Sequence, residues 1–505
     1  MKKILINEEA WQTRVAILHN EKLQDIYFDI HSKEDLERCF FKGRVAKVLP
    51  GIQTAFVDFG KPKAGFLHIS EIDRALAAEK MSDLKGEDES IGQETFERIV
   101  KKAMDIKKIF KEGEEILIQV IKEPIYEKGA KLSTCFTLPG KFLVLMPNIP
   151  QIGISKKIES RTERTRLREL LTKKLPKGMG AIVRTTAEER SDKDIIKDLS
   201  FLISDWKSIL KKSLTAKPGE LIHQDIPIAL RAVRDHLDED VEMVLIDNKE
   251  TEKTVTKFVK KYTPEQARKI RYYNPPPALF DEFNINKQIT EALQKKVILR
   301  SGGSLIIEST EAMTVIDVNT GRYTGKGNLE ETILKTNLEA ADEVARQLRL
   351  RNIGGLIVID FIDMASAGNR QKLSRTFEKS LKERDKYQSV LLRVSEFGII
   401  QMTRKRSGKT LVQQLMRVCP TCNANGFVES ATTISFTILE QFQAEVIRAN
   451  RKGSITLSIS PQIFDYLIHH EFQTLLALEK ILACKIVLES NAKLANDQFR
   501  STTHV

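Results

Sequence analysis

The sequence is poor in cysteine, with five in 505 residues, and Cys39, Cys135, Cys419, Cys422 and Cys484 form an odd, scattered set. That excludes the disulfide framework of small secreted domains. Long apolar runs are missing as well: no stretch of about 18 residues could span a bilayer, which argues against membrane insertion. The N-terminus, Met1-Lys2-Lys3-Ile4, passes into alternating polar and apolar residues and reaches Asn20-Glu21-Lys22 without the apolar core of a signal peptide. These absences predict a cytoplasmic protein. Hydrophobic residues make up an ordinary 41% of the chain, and the length exceeds what one core can organise, so about three to four domains are expected.

Lys and Arg outnumber Asp and Glu by 81 to 69, a net charge of +12 that favours a polyanionic partner such as nucleic acid. Residues 156 to 184 hold ten Lys or Arg against three Glu, a local excess of seven. A solvated helical face accounts for that stretch equally well.

Lys3–Ile6 and Thr13–Leu18 read as short strands of a meander, with a turn at Asn20-Glu21-Lys22. From Gly43 onward, period-two segments punctuated by Gly51, Gly60 and Gly65 suit a small closed barrel. A charged segment at 74 to 112 reads as a loop insertion. Strand character resumes at Glu115–Lys122 and Lys141–Met146. Residues 228 to 292 alternate apolar strand with polar helix, interrupted by the extended connector Tyr272-Tyr273-Asn274-Pro275-Pro276-Pro277, and a boundary is expected near 293.

Residues 313 to 364 predict a strand-helix-strand unit. Met313–Asn319 is a strand. Leu329–Arg351 is a helix with an apolar stripe of Ile333, Ala341, Val344 and Leu348, capped by Asn328 and ended by Gly354-Gly355. Gly355–Asp363 is the second strand. The apolar run Leu356–Ile359 predicts burial on both sheet faces, so an ionised Asp360 inside it needs compensation. Asp317 and Asn319 are two apart and share a face, and the crossover brings them beside Asp360. A hard cation such as Mg²⁺ would offset the repulsion of two carboxylates, Asn319 would orient one of them, and phosphodiester hydrolysis is the chemistry that fits. Asp363, three residues beyond Asp360, is expected on the opposite strand face. On spacing alone, helix capping or an ion network explains the aspartates as well.

Val315-Ile316-Asp317-Val318-Asn319-Thr320-Gly321-Arg322, Thr336-Asn337-Leu338-Glu339-Ala340-Ala341 and Gly354–Met364 together resemble the signature segments of the ribonuclease E/G family. The likeness runs over almost the whole chain and suits the short ribonuclease G type. It implies a multidomain α/β and α+β fold. An RNase H-like subdomain (1–38 and 228–292) would carry an inserted S1 barrel of OB-fold type (39–134) and a 5′-phosphate sensor domain (135–227). A DNase I-like catalytic subdomain (293–414), a zinc-link (415–426) and a small C-terminal domain (427–505) would follow. It further implies a Mg²⁺-dependent endoribonuclease of single-stranded RNA that prefers 5′-monophosphorylated substrates, leaves 5′-phosphate and 3′-hydroxyl ends, and acts in ribosomal RNA processing and messenger RNA decay. Asp317 and Asp360 would be the metal ligands and Asn319 their support. In the barrel, Phe56 and Phe66 would stack bases and Lys122 and Lys128 neutralise phosphates, although spacing alone allows either Phe to be core. Val144, Arg184 and Thr185 would hold the 5′-phosphate, with Glu188 and Glu189 an unexpected acidic pair nearby.

Cys419-Pro420-Thr421-Cys422 has zinc-ligand spacing, but no second pair follows, and His469 and His470 lie 47 or more residues away. One chain supplies half a tetrahedral site. The resemblance implies that two chains share a structural Zn²⁺ within a homodimer or homotetramer, and Asn423 would serve where a glycine is usual. An RNA-binding scaffold with a dead metal site and a DNA nuclease are the competing readings; the intact Asp317, Asn319 and Asp360 set disfavours the first.

Overall fold

The first thirty residues form an antiparallel meander of β1 (Lys2–Glu8), β2 (Gln12–His19) and β3 (Lys22–Ile30). Asn20 and Glu21 turn β2 into β3 with φ of 49° and 62°, the left-handed pair that a two-residue hairpin requires. Ile4, Leu5 and Ile6 are all buried because both faces of this sheet are covered. Ile4 and Ile6 pack with the helices Ile228–His236 and Lys249–Tyr262, and Leu5 with Leu279–Glu282 and Ile285–Leu293. A computed structural model describes residues 1–73, 76, 105–124, 129–321, 329–385, 387–406, 408–423 and 425–504. They fold as two units, Met1–Gln414 and Leu415–Val505.

In the first unit, β4 (Phe40–Leu49), β5 (Thr54–Asp58), β6 (Gly65–His68), β7 (Glu115–Lys122) and β8 (Lys131–Ser133) pair in the order β4-β5-β6-β8-β7, and β7 returns to β4. The result is a closed five-stranded barrel. Its core includes Ile106, Ile109 and Phe110, from the helix Ile106–Ile109 and the residue after it. The expected 74 to 112 loop therefore ends earlier: an apolar triplet within the charged run plugs the barrel. Residues 74–75 and 77–104 of that insertion lie outside the described residues.

β9 (Leu138–Pro139), β10 (Leu143–Met146), β11 (Ile152–Ile154) and β12 (Gly180–Val183) make a four-stranded sheet against the helices Arg161–Lys174 and Asp192–Thr215. β13 (Leu221–His223) then returns to pair with β4. β14 (Val241–Ile246) and β15 (Ile270–Tyr272) add parallel strands beside β1, so the barrel and four-stranded sheet are inserted within one five-stranded sheet. Tyr272 ends a strand rather than opening the expected connector.

β16 (Lys296–Ile298), β17 (Ser304–Ser309), β18 (Met313–Asn319), β19 (Gly355–Asp360), β20 (Ser389–Leu391) and β21 (Ile399–Arg404) form a sheet ordered β16-β17-β18-β19-β21-β20. Only β18 and β19 run parallel, joined through the helix Leu329–Leu350. Ile316, Val318, Ile357, Ile359, Ile400 and Met402 pack beneath Ala341, Val344, Leu348, Leu373 and Phe377. Among the described residues the other face is open, and Leu356 is 40% exposed. This corrects the expected two-sided burial of Leu356–Ile359: with every other pairing antiparallel, one crossover helix face suffices and the second face has no cover among the described residues. The helix also stops earlier than expected. Asn352 takes the left-handed conformation (φ 52°) and Ile353 N–H reaches Leu348 O at 3.0 Å, so Asn352 ends it and Gly355 opens the next strand. The second strand ends at Asp360, short of the predicted Asp363. Arg322 and Asn328 lie outside the described residues.

The second unit contains β22 (Gly453–Ile459), β23 (Cys484–Ser490) and β24 (Phe499–His504), ordered β23-β22-β24, with the helices Ala431–Arg448, Pro461–His470 and Phe472–Leu482 around one apolar core. No helix among the described residues is long and apolar enough to cross a membrane.

Candidate active site

Asp317 and Asp360 are direct register partners across β18 and β19. Parallel neighbours in register project to the same side, and both carboxylates stand exposed on the open face. Their burial, expected from the apolar run, is overturned by that missing cover. The pairing itself is as predicted. Asn319 Nδ2 donates to Asp317 Oδ2 at 2.7 Å and fixes that carboxylate's direction. Partial desolvation, then the charges of Asp317 and Asp363, hold the Asp360 carboxyl above its ordinary value. Asp363 is exposed beyond the end of β19 and its charge bears on Asp360, but among the described residues it does not complete a three-carboxylate metal group.

Two side chains of the covered helix fix the segments beside this pair. The buried Asn337 accepts from Ile362 N–H at 3.1 Å and donates to Ile362 O at 2.8 Å, holding the chain just beyond Asp360. Glu339 accepts from Arg300 N–H at 2.7 Å and Ser301 N–H at 3.0 Å, holding the loop before β17. That loop abuts the end of β18: a Cβ at Gly303 would lie 2.6 Å from Asn319 O. The helical spacing of Asn337 and Glu339 gives no hint of these roles. Among the described residues no group of three or more His, Cys, Asp or Glu gathers as a metal would need from protein alone.

On the barrel, Phe56 and Phe66 are register partners on β5 and β6, half-buried and outside the core cluster. The pairings extend this row to Lys47 on one side and to Lys131 and Lys122 on the other. Lys47 and Lys131 were not foreseen, since irregular register between Val45 and Lys47, and between Val120 and Lys122, cannot be read from period-two spacing. Lys131 is ion-paired with Glu71. Lys128 lies outside the described residues.

The sequence profile described as "Ribonuclease E/G family" matches residues 137–407, and one described as "RNase E/G, Thioredoxin-like domain" matches 418–504. Ribonuclease G of Escherichia coli K12 is 33% identical over 500 residues, 98% of each chain. Ribonuclease G of Haemophilus influenzae is 35% identical over 501 residues, again 98% of each chain. The chain belongs to the ribonuclease E/G family. Ribonuclease E of Escherichia coli K12 is 36% identical over 484 residues, 95% of this chain but 44% of that protein. As a member of the ribonuclease E/G family the chain is an endoribonuclease.

The other residues that the ribonuclease E/G resemblance singles out lie as follows. Val144 on β10 faces Ile182 on β12 in register. Arg184, which follows β12, donates from Nη1 to Gly140 O at 2.6 Å and to Asp235 Oδ1 at 2.7 Å. Burial would raise the Asp235 carboxyl, but Arg234 and Arg184 outweigh it and hold it well below the ordinary carboxylate range. Thr185 is exposed, its hydroxyl 3.1 Å from that of Ser155. The acid beside Arg184 is Asp235, not Glu188 or Glu189. Of the basic stretch, Arg166 pairs with Glu163 and Asp192 and Arg164 bonds the carbonyls of Ser155 and Ile158, while Arg161, Arg168, Lys173, Lys174 and Lys177 are exposed.

In the second unit, hydrogen bonds from Cys422 first and Thr421 next pull the exposed Cys419 thiol below its ordinary value. Asn423 takes φ of 45°, the left-handed conformation expected of it. None of the five cysteines is in a disulfide.

Proposed function

We propose that this ribonuclease E/G family member is a Mg²⁺-dependent enzyme that cuts single-stranded RNA and leaves 5′-phosphate and 3′-hydroxyl ends. The in-register Asp317 and Asp360 carry the reading. Two like charges on adjacent strands repel, which adds to partial desolvation in raising the Asp360 carboxyl, and a divalent cation removes that repulsion. The donor set fits a hard cation: oxygens only, solvent-accessible, one carboxylate steered by an amide. Asp317 and Asp360 would hold it. When bound, the ion supplies Lewis-acid polarisation of the scissile phosphate and lowers the pKa of an attacking water. Asn319 keeps Asp317 aimed, and Asn337 and Glu339 hold the flanking segments still. Phe56 and Phe66 offer stacking surfaces to unpaired bases, and Lys47 and Lys122 offset backbone charge beside them, an arrangement that tolerates any sequence.

Residues 39–134 form the S1 module, 135–227 the 5′-sensor, 1–38 with 228–292 the RNase H-like frame, and 293–414 the DNase I-like catalytic part in this proposal. Arg184 and Thr185, with Val144, take the 5′-monophosphate; the planar fork of Arg184 suits phosphate oxygens. Cys419 and Cys422 hold Zn²⁺ jointly with the same pair of a second chain, within a homodimer or homotetramer. Processing of ribosomal RNA precursors and decay of messenger RNA in the cytoplasm are the roles assigned.

The test is cleavage of a short single-stranded RNA carrying a 5′-monophosphate or a 5′-triphosphate, with Mg²⁺ titrated. Cutting should require the ion, and Arg184→Ala should remove only the monophosphate preference. Undiminished cutting in excess chelator would refute the metal, and equal rates on both 5′ ends for the wild type would refute the sensor.

A further inference from the structure

The turn between β20 and β21 presents a phenylalanine to solvent beside the carboxylate pair. Phe397 is 77% exposed, yet the turn that carries it is tightly tied. Gly398 N–H donates to Ser395 O at 3.2 Å, Ile399 N–H to Ser395 Oγ at 3.1 Å, and Ser395 N–H to Ile399 O at 2.9 Å. Ile399 is the register partner of Asp360. Gly398, at φ 73°, packs so closely on the end of β19 that a Cβ there would lie 2.6 Å from Phe361 O and 3.3 Å from Asp363 Oδ1. The residue on either side of this contact is therefore fixed: Ile399 against Asp360, Phe397 at the tip.

Side-chain charge around this turn is mostly negative, with Arg393 the exposed cation of its loop. Asp317, Asp360, Asp363 and, next to the ring, Glu396 are all exposed and repel phosphates. A neutral ring avoids that repulsion, since bases stack on aromatic faces whatever the local charge. Val390 and Leu392, exposed beside β21, add apolar surface near the same turn.

We propose that Phe397 stacks the base immediately flanking the scissile phosphate and so positions the strand over Asp317 and Asp360. This rests on the nuclease reading of that pair. The base is unpaired by necessity, so the ring also favours single strands over duplex at the point of cutting.

The experiment compares wild type, Phe397→Ala and Phe397→Trp on one single-stranded RNA of defined cut site, and on two versions abasic at the nucleotide 5′ or 3′ of that site. Phe397→Ala should lower kcat/KM on the intact RNA by about 5- to 150-fold, the value of one stacked base, at an unchanged melting temperature, and Phe397→Trp should restore it. On one of the abasic substrates, wild type should fall to the level of Phe397→Ala. A full-rate Phe397→Ala enzyme, equal Phe397→Ala losses on intact and both abasic RNAs, or a loss that tracks a lower melting temperature would each overturn the proposal. The same series includes Asp317→Asn: if that variant still cuts, the site reading itself fails, whereas a dead Asp317→Asn beside a full-rate Phe397→Ala overturns the stacking alone.

Discussion

Asn319 donates a 2.7 Å hydrogen bond to Asp317, two residues before it on the same strand face, and leaves Asp360 across the sheet without that amide. Among the described residues the two carboxylates are thus held unequally, one aimed by a neighbouring amide and the other not.

Removing that amide should loosen the aimed carboxylate without disturbing the sheet, because Asn319 is exposed. Asn319→Ala should lower the cleavage rate about 10- to 100-fold and raise the Mg²⁺ concentration at half-maximal rate. An unshifted Mg²⁺ dependence would mean that the hydrogen bond has no bearing on the metal.

The barrel row predicts affinity rather than chemistry. Phe56→Ala or Phe66→Ala should weaken binding of a single-stranded oligonucleotide by about 1–3 kcal/mol. Lys122→Ala should instead flatten the salt dependence, lowering the slope of log K against log salt by about 0.7. Filter binding across a salt series separates the two effects.

Much of this site was legible from residue spacing, and the parts that were not have specific causes. Two apolar strands flanking an amphipathic helix predict the β18-helix-β19 unit, and period-two alternation places Asp317 with Asn319. Alternation says nothing about which sheet face is covered, so the exposed setting of the pair is not legible from it, and it ceases at a strand's end, so it cannot place Asp363. The barrel followed from glycines and alternation, but its Lys47 and Lys131 neighbours depend on irregular register. Asp235, 51 residues from Arg184, is a partner that only the packing of the helix Ile228–His236 reveals.

That Arg184–Asp235 pair makes a prediction about pH. Asp235 is held below the ordinary carboxylate range by Arg234 and Arg184. A depressed folded-state pKa contributes stability that is complete above the unfolded value of about 3.9 and is lost as pH falls through the lower folded value. Asp235→Asn should therefore lower stability at pH 7 by about 1–3 kcal/mol, less than for a fully buried pair because Asp235 is partly exposed. Melting temperatures of the two proteins should stay apart from pH 7 to about pH 4 and converge only below it. A gap that closes near pH 6 would assign the stabilisation to another group.

The cysteine pair predicts a stoichiometry. Purified protein should contain about half an equivalent of zinc per chain, and Cys419→Ser with Cys422→Ser should remove the zinc and shift the oligomer toward monomer. Zinc-free protein that remains fully dimeric would rule out the shared site.

The most direct test is the single-turnover cleavage of a short 5′-monophosphorylated single-stranded RNA at saturating Mg²⁺ by Asp317→Asn and Asp360→Asn, with melting temperatures measured on the same samples. Both side chains are exposed, so neither change should alter the fold, and each should cut at least about 100-fold more slowly than wild type. Wild-type rates from either variant would contradict the assignment of the two aspartates to the metal.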